Sequence, residues 1–310
     1  MTSGREPSVG EPGGPGQARW LDPAVLARLA TLELKARAIV EGFLSGLHRS
    51  PRRGFSVEFA EHRPYLPGDD LSCIDWKVYA RSDRYYVRKH EQETNLDCRI
   101  LLDVSGSMAY SSRPLSKLDY GAALAAALAC LMTRQRDAVG LTTFDSQVRF
   151  ILPPGGRPGH LRALIGALAK LEIGKQGDVA EPLNRIAEGI EKRGLVVVIS
   201  DLLDDRERVV QGLKHIRFRG MEVIVFQVLD PDELTFPFDR ARRFRDLETG
   251  EEVSVTPAAE RERYLAEIRA LVDFYRRELG VADIDYCLLD SSRPFDLALL
   301  SYLSTRRRSH

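Results

Sequence analysis

The chain has 310 residues, 44% hydrophobic and 29% charged, which excludes a disordered or fibrous protein and allows a sizeable core and two domains. Its 45 Lys and Arg balance 45 Asp and Glu, so no global field gathers nucleic acid or an anionic membrane. The four cysteines, Cys73, Cys98, Cys130 and Cys287, form no CxxC pair and have no histidine at zinc-ligand spacing. They read as reduced, core-filling thiols of a cytoplasmic protein rather than a disulfide framework.

In chain order, residues 1–20 are rich in Gly and Pro and poor in large apolar groups, a composition that predicts a disordered tail. The start has no apolar core of a signal peptide. The longest near-apolar run, "GAALAAALACLM" at 121–132, is too short to cross a bilayer, which needs roughly 20 residues. Asp22-Pro23 supplies a cap and a first helical residue, and Val25, Leu29, Leu32, Ala36, Ile39, Phe43 and Leu47 recur at helical spacing. One long helix is predicted there, ended by Pro51. Residues 21–97 are expected to form a helix followed by an Arg/Asp-rich β segment, with "GFSVEF" and "RYYVRKHE" as half-exposed strands and a turn at Pro67-Gly68. Its charges, Arg63, Asp69, Asp70, Asp75 and Arg81 around Trp76 and Tyr79, read either as a docking face or, preferably, as mutually satisfied ion pairs.

From residue 98 to 306 strands and helices alternate. "CRILLD", the hairpin pair "AVGLTTF" and "VRFILP" around Asp145-Ser146, "GLVVVISD", "MEVIVFQVLD" and "DIDYCLL" are the strands. Helices are expected in "KLDYGAALAAALACLMTRQRD", at 160–171, 179–193, 205–218 and 257–279, and at the C-terminus, with a second hairpin in "RRFRDLETGEEVSV" turning at Thr249-Gly250. Continuous apolar strands separated by helices predict a doubly wound, mainly parallel α/β sheet of about six strands with one antiparallel edge. The terminal "TRRRSH" reads as a solvated tail.

Ligands of such sheets bind beyond the carboxyl ends of the strands, where strand order reverses. Two strands end in acid, "ILLD" at Asp103 and "VVVISD" at Asp201. In the extended loop "DVSGS", alternate side chains Asp103, Ser105 and Ser107 share one side, and Gly106 lets the backbone turn. Two carboxylates and two hydroxyls are hard oxygen donors suited to Mg2+ that keeps open positions. A Ser/Gly connector with serines as caps is the plainer alternative.

The D-x-S-x-S motif resembles a metal-dependent adhesion site, and residues 98–306 resemble a von Willebrand factor type A domain. With the preceding "RRGFSVEFAEHRPYLPGDDLSCIDWKVYARSDRYYVRKHEQE", the chain from about residue 52 is similar to the prokaryotic family called domain of unknown function 58. The resemblance implies metal ligands Asp103, Ser105, Ser107 and Asp201. It also implies a non-catalytic adaptor working with a MoxR-type AAA+ ATPase in chaperone-like assembly or maturation. A client's acidic side chain would complete the metal's coordination; no nucleic acid and no membrane insertion is implied. Two positions depart from the family pattern. Leu71-Ser72-Cys73 replaces a usual Arg. In "KQGDVAEPLNRI", Gly177 stands where a metal-ligating Thr is expected, so either Asp178 substitutes or the site is weak or vestigial.

Enzyme templates do not match. "EIGKQG" lacks the leading Gly and following hydroxyl of a phosphate-binding loop, and neither G-x-G-x-x-G after a strand nor G-x-S-x-G occurs. His48, His62, His90, His160, His215 and His310 form no H-E-x-x-H. A metal-dependent hydrolase or phosphotransferase using Asp103 remains the alternative, and a metal-independent scaffold the third reading.

Overall fold

The computed structural model describes residues 22–49, 62–64, 85–88, 96–157, 159–174, 178–240, 242–245, 247 and 252–308. The predicted first helix is two. α1 (Pro23–Leu26) starts at Asp22, whose carboxylate accepts from the Ala24 amide at 2.8 Å. α2 (Leu32–Arg49) starts anew because Thr31 can cap it: its hydroxyl accepts from the Leu34 amide at 3.3 Å. β1 (His62–Pro64) pairs antiparallel with β2 (Tyr86–Arg88). The strand expected in "GFSVEF", the Pro67-Gly68 turn and the ion pairs of Asp69, Asp70, Asp75 and Arg81 lie outside the described residues.

The remaining elements alternate. β3 (Asp97–Asp103) leads through a short 3-10 turn, Gly106–Ala109, to α3 (Lys117–Arg134). β4 (Ala138–Phe144) and β5 (Val148–Gly155) form the hairpin, followed by α4 (His160–Leu168) and α5 (Ala180–Glu188). β6 (Gly194–Ser200), α6 (Arg206–Phe218), β7 (Met221–Leu229) and α7 (Pro231–Thr235) follow. β8 (Arg242–Arg245) and β9 (Glu252–Val255) make the second hairpin, whose Thr249-Gly250 turn lies outside the described residues. α8 (Pro257–Val281), β10 (Asp285–Asp290) and α9 (Asp296–Arg308) complete the order.

The main sheet runs β10-β7-β6-β3-β4-β5, parallel throughout except for β5. Strand order therefore reverses between β3 and β6, with Leu102 opposite Ile199. The sheet is the doubly wound, mainly parallel architecture with one antiparallel edge that the alternating apolar strands predict.

Period-two alternation sends side chains of each strand into two cores. Ile100, Leu102, Val197 and Ile199 face α2, α3, α4 and α9. Leu101, Val196, Val198 and Val225 face α5, α6 and α8. The first core is built around α3, whose alanines 122, 123, 125, 126, 127 and 129 are buried and let the helix lie close on the sheet. The same alternation decides the site. Ser200 and Asp103 share the side of Leu101, whereas Asp201 turns to the side of α3.

Candidate functional site

Each of the five parallel strands of the sheet carries an aspartate at its carboxyl end: Asp103, Asp145, Asp201, Asp230 and Asp290. Each carboxylate accepts from the amide two residues on, of Ser105, Gln147, Leu203, Asp232 and Ser292, at 2.8, 3.0, 3.3, 2.8 and 2.8 Å. These are Asx turns, which bend the chain off the strand end and satisfy an amide that the ladder no longer uses. An acid at a strand end is thus explained by chain turning alone. Burial does not single out a pair either, since Asp145 and Asp230 are buried too. What separates Asp103 from the rest is the upward shift of its carboxyl pKa, caused first by burial and then by the charge of Asp201 on the adjacent strand.

Asp103 is fully buried, and its second oxygen accepts from the Ser200 hydroxyl at 2.5 Å. Ser200 in turn accepts from the Leu202 amide at 3.0 Å, so β6 fixes the rotamer of its hydroxyl. Burial first, and the neighbouring charge of Asp201 second, raise the Asp103 carboxyl from 3.8 to about 7, against hydrogen bonds from Ser200 and Ser105 that hold it down. In front of Asp103, the hydroxyl oxygens of Ser105 and Ser107 lie 3.1 Å apart. Ser105 is buried and Ser107 half-buried, so the Ser107 hydroxyl is the outermost of the four donors.

Asp201 already has a cation. The Lys117 ammonium, fully buried at the first position of α3, donates to Asp201 Oδ2 at 2.8 Å and to Glu233 Oε1 at 2.6 Å. A positive charge at a helix N-terminus opposes the helix dipole, so the two carboxylates must hold it there. Burial alone would lower its basicity; Asp201 and Glu233 more than reverse this, and Lys117 is shifted up. Glu233 belongs to a capping box with Asp230, whose amide donates to Glu233 Oε2 at 2.8 Å. Asp230 also accepts from the Ser112 amide at 2.9 Å and from the Ser112 hydroxyl. Tyr110 donates to Asp232 at 3.4 Å, and burial with the charges of Asp232, Asp230 and Glu233 pushes its hydroxyl up to about 12. The loop after Ser107 is thereby tied back through α7 to Lys117.

Asp178 is engaged elsewhere: its oxygens accept from the amides of Ala180 and Glu181 at 3.2 and 3.3 Å and from Arg208 at 3.1 Å. Gly177 lies outside the described residues. Lys117, Glu233 and Ser200 escape sequence reasoning because none lies in the D-x-S-x-S motif. The signal available for the lysine is its place at the opening of an almost wholly apolar helix.

Of these donors, the Ser105 and Ser107 hydroxyls have the spacing of two neighbouring ligands of a small divalent cation, while both Asp201 oxygens are already engaged. Magnesium holds octahedral oxygens at about 2.0–2.1 Å, so adjacent ligands sit about 2.9 Å apart, close to the spacing of the two serine hydroxyls. No group of three or more His, Cys, Asp and Glu among the described residues is arranged to hold a metal.

A family model described as Protein of unknown function DUF58 matches residues 61–271. An uncharacterized protein of Mycobacterium tuberculosis strain H37Rv is 29% identical over 263 residues, covering 83% of this chain and 82% of that protein. A protein of Mycobacterium bovis matches with the same figures. Among solved structures, the chain is similar to an aerotolerance-related membrane protein from Bacteroides fragilis, at 21% identity and a TM-score of 0.47, over 69% of this chain and 99% of that one. It is similar also to the conserved hypothetical protein BatB from Bacteroides thetaiotaomicron, at 19% identity and a TM-score of 0.46, over 69% and 97%. With more than half of its length matched by the family model, the chain belongs to the DUF58 family.

Proposed function

We propose that the protein is a non-catalytic interaction module that engages its partner at the carboxyl ends of β3 and β6 through a magnesium ion. The observation that carries this reading is the pairing of the Ser105 and Ser107 hydroxyls, 3.1 Å apart in front of Asp103, with Asp201 at the end of the adjacent strand. Ser105 and Ser107 would hold the ion directly, with Asp103 and Asp201 supplying the balancing charge. A bound magnesium offers an electrophilic position that an outside carboxylate can fill. The partner side would supply that carboxylate, and family membership favours a cytoplasmic adaptor for a MoxR-type AAA+ ATPase and its client.

Two facts favour docking over catalysis by Asp103. Both of its oxygens already accept hydrogen bonds, and it is fully buried, whereas an attacking nucleophile needs an open approach to substrate. Among the described residues, no helix is long and apolar enough to cross a membrane. Affinity capture of the full chain from native lysate, in magnesium and in chelator, tests the reading. Partners recovered only in magnesium, and lost in Asp103→Asn, are expected. Equal recovery in both buffers and in the variant contradicts it, as does phosphoester turnover by the purified protein that Asp103→Asn abolishes.

A further inference from the structure

The buried lysine is unusual on two counts. It carries a positive charge at the wrong end of a helix dipole, and it sits against one of the carboxylates that the cation reading requires. A residue needed only to fill space at the start of α3 would be apolar, since replacing a buried ion pair by packed apolar groups is often neutral or stabilising. Its ammonium gives Asp201 positive charge at 2.8 Å, the sign that a bound cation would bring there.

We infer that Lys117 is a tethered competitor for the divalent cation, setting the affinity of the site and linking its loading to the loop of Tyr110 and Ser112. The inference rests on the proposed metal reading. It follows from connectivity. Asp201 has two oxygens; one accepts from the Leu203 amide and the other from Lys117. An ion that draws on Asp201 meets the lysine's charge and displaces it toward Glu233, its second partner at 2.6 Å. Glu233 also holds the Asp230 amide, and Asp230 holds both the amide and the hydroxyl of Ser112. Movement of the ammonium is thus transmitted in three contacts to the segment immediately following Ser105 and Ser107. The circuit closes on itself: the loop that supplies the outer donors is the loop that the lysine anchors.

Lys117→Met alone leaves both Asp201 and Glu233 buried without their cation and risks the fold. The double variant Lys117→Met/Glu233→Gln removes both charges, and the amide oxygen of the new side chain can still accept from the Asp230 amide, since glutamine serves the capping box as glutamate does. Mn2+ binding to the full chain, read by the paramagnetic signal of the free ion, is expected to tighten at least tenfold in the folded double variant. Wild-type affinity in that variant overturns the competitor role and leaves the metal reading standing; Mn2+ binding by neither protein overturns both. Should the double variant not fold, hydrogen exchange on the unmodified chain decides. The amides of Ser112 and Asp230 are expected to exchange faster in magnesium than in chelator; equal rates overturn the inference.

Discussion

At the scale of single residues, the site is an arrangement of charges held against their preferences. Asp103 is raised to about 7 in the folded chain against 3.8 in an open one, so folding favours its protonated form. Its contribution to stability is therefore fully present below about pH 4 and lost as pH rises through about 7. In chelator, stability is expected to fall over that window, and Asp103→Asn, which keeps the shape without the charge, is expected to melt several degrees higher than wild type at pH 8 and equally at pH 4. Thermal unfolding at the two pH values checks this. The lysine behaves oppositely in kind, because it is paired. Removing Lys117 alone strands both Asp201 and Glu233 and is expected to cost about 3–5 kcal/mol; removing Glu233 alone leaves Lys117 paired with Asp201 and is expected to cost less, and the double change strands Asp201 only. Urea unfolding of the three variants completes the cycle.

At the scale of elements, the sheet places the donors and the helices balance them. Leu102 lies opposite Ile199, so a one-residue advance along each strand brings Asp103 to Ser200 and sends Asp201 across to α3. A one-residue register slip would exchange the faces that Ser200 and Asp201 now serve. Gly194, where β6 begins, protects that register: a Cβ there would lie 2.1 Å from the Asp97 carbonyl oxygen of β3. Gly194→Ala is expected to cost about 1–3 kcal/mol in urea unfolding, because backbone rather than a flexible side chain must move. The alternation of apolar strands with helices was readable from sequence, as were the antiparallel β4–β5 edge and the two strand-end acids. The break between α1 and α2 was not, since Leu29 and Leu32 keep helical spacing through it while the Thr31 hydroxyl offers a competing start. Nor was the Lys117–Asp201–Glu233 group. Asp201 and Glu233 lie 84 and 116 positions beyond Lys117, and only the folded order of β3, β6 and β7 joins them. Strand-end aspartates also overstate the signal, since all five serve Asx turns.

At the scale of the whole molecule, a chain of zero net charge concentrates negative charge at one end of its sheet. Asp103, Asp201 and Glu233 bring three carboxylates to the carboxyl ends of β3, β6 and β7, and one ammonium offsets them in part. On the proposed reading, such an end would take up a cation and, once loaded, an acidic partner that the bare site would repel. The most direct measurement is titration calorimetry of magnesium into the full chain at pH 8, beside Asp103→Asn. One ion per chain for the wild type, bound at least tenfold more weakly by the variant, is the outcome expected. No binding heat from the wild type, or equal binding by both proteins, would contradict a cation shared between the ends of β3 and β6.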